Sequence, residues 1–208
     1  MVHGFGIYDS EKFGKAKTNK LYGYWSRMIE RCYSEKSLRR HTSYTGTTVC
    51  EDWKYYENFH TWAIENYIDE SCTLDKDIID GKSKIYSPET CSFVPHRVNN
   101  CIIDRRSNTQ YPVGVWYKQP SKGMLNERTK PYCAEIVKNK KSHKLGHFCT
   151  PEEAHAAWQR EKIIYLNEII DEYKNIVSDK VINGLKRRID MLQDDINNDR
   201  ITKSINKV

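Results

Sequence analysis

At Thr150 the hydrophobic pattern of this chain changes period, and the run Thr150-Pro151-Glu152-Glu153 marks the change as the start of a helix. A Thr at the N-cap offers its hydroxyl oxygen to a free backbone N–H of the first turn, and Glu153 stands three residues on, where a capping box needs it. Pro151 takes the first helical position, where no donor is missed. Beyond it, Ala154, Ala157, Trp158, Tyr165, Ile169 and Tyr173 fall on one helical face. Before it, YPVGVWYK, KPYCAEIVKN and KSHKLGHF read as three strands, the last two joined by a short Asn- and Lys-rich turn. Strands followed directly by an amphipathic helix predict a twisted sheet with one face covered by the helix and one open. Alternation sorts the residues: Tyr132, Ala134 and Ile136 on one side, Cys133, Glu135 and Val137 on the other. Trp116 and Lys118 share a side opposite Val115 and Tyr117.

Charge concentrates in the same segment. The chain carries a net charge of +6, with a pI near 8.8. Between Tyr111 and Thr150 stand eight cations (Lys118, Lys122, Arg128, Lys130, Lys138, Lys140, Lys141, Lys144) against two acids, Glu127 and Glu135. These forty residues hold a surplus equal to that of the whole chain, which points to a polyanionic partner. An open sheet face with Lys and aromatic residues suits the major groove, which admits strands as well as helices. Its lysines would pair with phosphates and release counterions.

The other 168 residues are balanced in charge. Length predicts two compact modules plus a tail. Fourteen Tyr and five Trp place the composition among folded chains. No apolar run approaches the ~20 residues of a membrane span and the N-terminus has no signal-peptide core, so a soluble, intracellular protein is expected. Seven Cys without a CxxC pair predict reduced thiols. Cys32, Cys50, Cys72 and Cys91 lack close ligand spacing, so zinc is not expected. The stretch to Asn19 reads as a loop or arm. Leu21 to Tyr33 reads as a helix with Trp25, Met28, Ile29 and Cys32 at its spacing, and a polar basic loop follows to Tyr44. Trp53, Phe59, Trp62, Ala63 and Tyr67 mark a second helix and a core rather than a base-stacking platform. Next come strands at Thr73 to Ile78 and Cys91 to Val94, then a helix, HRVNNCII, opened by Pro95. Asp104 to Gln110 is a linker whose Arg105 and Arg106 suit phosphates. The tail from Ser178 has a helical period but reads as too polar to bury much.

The three-strand segment carries a resemblance. GVWYK, YCAEI and KLGHFCTPEEAHAAW are similar to the APETALA-two/ethylene-response-factor DNA-binding domain over about sixty residues. The resemblance implies a three-stranded sheet in the major groove, with Trp116, Lys118, Glu135, Val137, Ser142 and Lys144 at the DNA-facing positions. Several positions that are Arg or Trp in plant members are Trp116, Val137 and Ser142 here, which leaves fewer bidentate contacts to guanine.

LDKDIIDGKSKIYSPETCSFVPHRVNN resembles the HNH or ββα-metal nuclease module of phage-borne homing endonucleases, and WSRMIERCYSEK with YTGTTVCEDWKYYENFHTW resembles the N-terminal part of such proteins. The resemblance implies a Mg²⁺- or Mn²⁺-dependent cleavage of the phosphodiester backbone, with Asp75 as first-strand metal ligand and Asn99 as helix ligand. Lys76 stands where the family has its general-base His. An ammonium with a pKa of ~10.4 cannot take a proton at neutral pH. Three outcomes stand: cleavage is lost, Lys76 holds phosphate, or Asp77 or His96 serves as the base. The ordinary reading of Asp75 and Asn99 is capping and turn chemistry.

The sequence thus predicts an α+β protein: a helix-rich portion over 1–106 with a degenerate ββα unit at about 73–103, a three-stranded antiparallel sheet on one helix over 107–175, and a polar helical tail over 176–208. The function expected is that of a double-stranded-DNA-binding phage protein resembling HNH homing endonucleases, located in the host cytoplasm, with metal-dependent cleavage of DNA as the activity that the resemblance implies. The rival expectation is a non-catalytic DNA-binding or regulatory protein of the same descent.

Overall fold

The computed structural model describes residues 1–16, 19–103, 110–119, 129–206 and 208. It is mixed α and β, and it divides into two compact units, Met1–His96 and Arg97–Val208. Among the described residues no helix is long and apolar enough to cross a membrane.

The first unit is built around helix α2 (Lys20–Tyr33), which follows the short α1 (Ser10–Phe13) and carries Trp25, Met28, Ile29 and Cys32 on its buried face. Its N-cap is Asn19, whose side-chain oxygen accepts from the Tyr22 N–H and from the Tyr56 hydroxyl. Helix α3 (Glu35–Arg40), capped by Ser34, occupies the start of the stretch expected to be loop. Strand β1 (Thr48–Val49), a 3-10 turn over Glu51–Lys54 and helix α4 (Tyr56–Asn66) follow. Trp53, Phe59 and Ala63 are buried in this core, and the Trp25 indole donates to the Trp53 carbonyl at 2.7 Å. That bond satisfies the one polar atom of the ring at no cost to its burial.

The N-terminal stretch, expected as a loop or arm, packs against this core. A Cβ on Gly6 would stand 2.5 Å from Ile29 and 2.6 Å from Trp25, and Phe5 stacks on Tyr33 with ring centroids 4.3 Å apart. Ile7 bridges Tyr55 in parallel. The stretch lacks a period because a single chain crossing a helix face makes contact through isolated residues.

Strands β2 (Cys72–Asp75) and β4 (Ser92–Pro95) pair antiparallel, with Cys72 opposite Pro95 and Asp75 opposite Ser92. Between them β3 (Ile85–Tyr86) leaves to pair in parallel with β1. Helix α5 (His96–Cys101) begins directly after Pro95, so strand, strand and helix follow one another as expected. The boundary between the units falls after its first residue.

The second unit holds strands β5 (Val115–Tyr117), β6 (Tyr132–Lys138) and β7 (Lys141–Phe148) in one antiparallel sheet of that order. Helix α6 (Pro151–Tyr173) covers one face through Ala154 and Ala157, which meet Val115, Ala134, Leu145 and Phe148. Its start is the capping box foreseen: the Thr150 hydroxyl oxygen accepts from the Glu153 N–H at 3.1 Å, while the Glu153 carboxylate accepts from the Cys149 N–H, one residue before the cap. Gly114, with φ at +78°, lies under Trp158, where a Cβ would come within 2.1 Å of the indole. Only glycine fits that approach.

Helix α7 (Asp179–Asn197) corrects one expectation. The tail was read as too polar to bury much, yet Val181, Ile182, Leu185, Arg188 and Leu192 are buried. Arg188 has no exposed surface and gives hydrogen bonds to the carbonyls of Gly184 and Ile205. The chain after α7 folds back over α6, where Gln159 donates to Thr202 and to the Arg200 carbonyl, both at 2.9 Å. His155 completes the fastening: its Nδ1 donates to the Val113 carbonyl at 2.9 Å, which leaves Nε2 to accept from the Thr202 N–H at 3.0 Å.

Candidate nucleic-acid interface

The face of the sheet away from α6 is set by register. Trp116 stands opposite Cys133, and Cys133 opposite His147. Glu135 pairs with Lys144 and Val137 with Ser142, so the alternation of β6 carries all of them to one side. Lys118 follows Tyr117, the partner of Tyr132, and so continues on the side of Trp116. The six positions that the resemblance assigns to DNA therefore share one face.

A β-bulge arranges this face. Register shifts between Ala134 and Glu135, so that Gly146 lies opposite one and Lys144 opposite the next, with Leu145 as the extra residue. Leu145 and Phe148 then both reach the helix side, while Lys144 and His147 both stay outside. Gly146 takes a φ of +144° at the bulge. Without the bulge, strict alternation would put Lys144 and Phe148 on one side.

The Lys144 ammonium lies 6.0 Å from the Trp116 ring centroid, which holds the indole beneath a cation. The Cys133 thiol is raised, first by burial and then by the charge of Glu135, while Lys144 and Lys118 pull it the other way. One acid and two cations thus bear on the centre of this face. Ser142, Lys144 and His147 are exposed; Trp116, Lys118, Glu135 and Val137 are half-buried.

The basic residues of this segment do not all belong here. Lys138 alternates to the helix side, where its ammonium meets Glu161 at 2.7 Å and Glu168 at 3.4 Å and lies 5.2 Å from the Tyr165 ring centroid. Burial works to lower its pKa, but the hydrogen bond and charge of Glu161, with Glu168, override it and raise it. This lysine is neutralised inside the unit. Lys140 and Lys141 lie at the hairpin end, exposed, with Asn139 and Lys140 both in the left-handed region at φ of +52° and +64°. Arg105, Arg106, Lys122 and Arg128 lie outside the described residues.

In the strand pair of the first unit, Asp75 ends β2 and one of its oxygens accepts from the N–H groups of Asp77 at 2.9 Å and Ile78 at 2.8 Å. This closes the turn that follows the strand. Lys76 is buried, 7% exposed, and its ammonium donates to Asp77 at 2.5 Å and to the Ser83 carbonyl at 3.2 Å. It also lies 5.9 Å from the Tyr86 ring centroid. Lys76 and Asp77 therefore serve each other. His96 is exposed at the first position of α5, with its N–H on the Ser71 carbonyl. Asn99, on the same helix, is half-buried and belongs to the second unit, while Asp75 belongs to the first.

Asp75, Lys76 and Asp77 are engaged within their own turn. The position of the base holds an inward ammonium, and Asp75 spends one oxygen on two backbone donors. Among the described residues no three or more His, Cys, Asp or Glu side chains gather in a ligating group. Burial pushes the nearby Cys32 thiol up to about 12, against the pull of Lys76 and Arg31, and raises Cys91 as well. Comparison with models of protein families, with curated proteins and with solved structures found no match to this chain.

Proposed function

We propose that this protein binds double-stranded DNA through the open face of β5, β6 and β7, and that it does so without hydrolysing it. The observation that carries the reading is the convergence of Trp116, Lys118, Glu135, Val137, Ser142 and Lys144 on the one face that α6 leaves uncovered. The major groove admits antiparallel strands, and strand residues on such a face meet base edges. Lys118 and Lys144 supply phosphate contacts, and the exposed Lys140 and Lys141 add charge at the hairpin end. Glu135 can accept from a cytosine amino group, and Val137 offers an apolar contact to a thymine methyl. With no arginine among the six positions, the face is better suited to holding DNA than to choosing a sequence.

The test is a salt titration of affinity for a mixed-sequence duplex. The logarithm of the binding constant should fall linearly with the logarithm of salt, and Lys118→Ala with Lys144→Ala should make the slope shallower by roughly 2, about 1 per lost phosphate contact. Affinity that ignores salt would overturn the reading.

The competing reading is Mg²⁺- or Mn²⁺-dependent cleavage, which rests on the resemblance of the β2, β4 and α5 segment to the HNH module. Incubation with supercoiled plasmid and either ion separates the two. The plasmid should be bound and remain intact; nicking that vanishes in Asp75→Ala and Asn99→Ala would replace the binding reading with that of a nuclease.

A further inference from the structure

The first unit carries a second concentration of unopposed charge. Residues 36–50, KSLRRHTSYTGTTVC, contain no Asp or Glu, and residues 81–88, GKSKIYSP, contain none either. Distant in sequence, the two runs are joined by the parallel pairing of β1 with β3, in which the Thr48 N–H donates to the Lys84 carbonyl at 2.8 Å and the Cys50 N–H to the Tyr86 carbonyl at 2.9 Å. The Lys84 ammonium reaches across to the Ser43 carbonyl at 3.1 Å, in the turn that directly follows α3. Arg39 and Arg40 end α3 and His41 caps it, immediately before that turn, and Lys82 stands two residues from Lys84 in its own run. All five are exposed.

Among the described residues Arg39 is the one of these cations that meets a carboxylate. Glu35 meets Arg39 at 3.2 Å, but both side chains are more than three-quarters exposed, so that pair is worth little in water. Asp80 spends one oxygen on the N–H groups of Lys82 and Ser83. Arg40 and Lys82 have no carboxylate partner among the described residues, whereas Lys12, Lys20 and Lys76 of the same unit sit on Glu57, Glu70 and Asp77. Collecting like charges on one edge costs self-repulsion that a polyanion relieves.

The surface between these cations is also of the right kind. Thr42, Ser43, Thr45 and Thr48 are exposed, and Gly46, at φ +75° with no atom near where a Cβ would stand, leaves the loop backbone open. Hydroxyls and backbone N–H groups are common phosphate donors alongside Arg and Lys. Underneath, the Arg31 guanidinium lies 5.6 Å from the Tyr44 ring centroid and is hydrogen-bonded to Tyr86, which fixes the turn in place.

We infer that the edge formed by α3, the Thr42–Tyr44 turn and β3 is a second contact surface for the phosphate backbone of double-stranded DNA. It rests on the DNA-binding reading above and adds a sequence-independent contact made by the first unit, separate from the sheet face. Arg39, Arg40, Lys82 and Lys84 are its cations, and the threonine and serine hydroxyls orient the phosphates between them.

Two variants of the full chain test it: Arg40→Gln with Lys82→Gln, whose side chains meet no carboxylate among the described residues, and the same pair with Lys84→Gln. Each is compared with wild type and with Lys118→Ala/Lys144→Ala in the salt titration on one mixed-sequence duplex, after a thermal melt has shown the fold intact. The expected result for the double variant is a slope shallower by about 2 and an affinity loss of roughly tenfold, equal across unrelated sequences. The loss should add to that of the sheet variant. If the edge variants bind as wild type while the sheet variant weakens, this inference falls and the sheet reading stands. If wild-type binding ignores salt, both fall. Loss of binding to a single-stranded or acidic-protein probe, with duplex binding untouched, would also overturn it in favour of another partner.

Discussion

Gly114 shows how much one residue can hold. Its φ of +78° costs an L-residue roughly 1–2 kcal/mol, and its missing side chain is what lets Trp158 lie flat against the start of β5. Its carbonyl also accepts from the Glu135 N–H at 2.8 Å, which ties it to the strand that carries the proposed binding face. Gly114→Ala should destabilise the second unit by about 3 kcal/mol or more, the backbone term plus the displacement of a buried indole, read as a lower urea midpoint. At the same scale, Lys76 and Lys138 show that a lysine's role is set by its neighbours. Both looked like candidates for chemistry or phosphate, and both ammonium groups are spent on carboxylates of their own unit.

At the scale of elements, the β6–β7 hairpin is closed by two residues, Asn139 and Lys140, both at positive φ. Such a turn matches the right-handed twist of its strands, and Asn followed by Gly is its preferred sequence. Asn tolerates the left-handed region; Lys140 is strained there. Lys140→Gly should therefore stabilise the sheet by about 1 kcal/mol, seen as a higher melting temperature, because the relief of strain exceeds the added freedom of the unfolded chain. The bulge at Leu145 and Gly146 is the other device of this sheet. Strand periods were legible in the sequence, and so was the sharing of a side by Trp116 with Lys118 and by Glu135 with Val137, each within its own strand. The bulge was not, since one extra residue leaves a run of alternating residues looking continuous. Helix α3 was missed for a related reason: five polar residues and the single Leu38 show no apolar period, and the Ser34 cap is its only local mark.

At the scale of the whole molecule, the most consequential link in the second unit is His155. Buried at 1% exposure, it joins the Val113 carbonyl before the sheet to the Thr202 N–H beyond α7. Burial lowers its pKa, against the opposing pull of the Val113 hydrogen bond and the Asp195 charge. A protonated ring would place a donor against the Thr202 donor. Because the folded value lies below the unfolded one of ~6.5, the neutral ring contributes stability that is full above that pH and is lost as pH falls through the folded value. Urea unfolding should thus show stability declining on acidification from about pH 7.5 to about pH 5.5, with a smaller decline in His155→Gln. An equal decline in both proteins would place the proton elsewhere.

What the sequence determined by itself was whatever neighbouring residues settle: the start of α6 at Thr150, the buried stripe of α2, the strand–strand–helix order, and the side of β6 on which Glu135 and Val137 stand. Caps and periods act over a few residues, so they can be read along the chain. Only the tertiary structure decided which cations remain outward, because their partners are remote. Lys138 is taken by Glu161 and Glu168 on another element, and the tail is fastened by Gln159 to Thr202 across 43 residues. The basic edge of the first unit also exists only once β1 has found β3. The charge excess that marked the segment from Tyr111 to Thr150 was a property of the sequence; its division between a helix-facing lysine and an open face was a property of the fold.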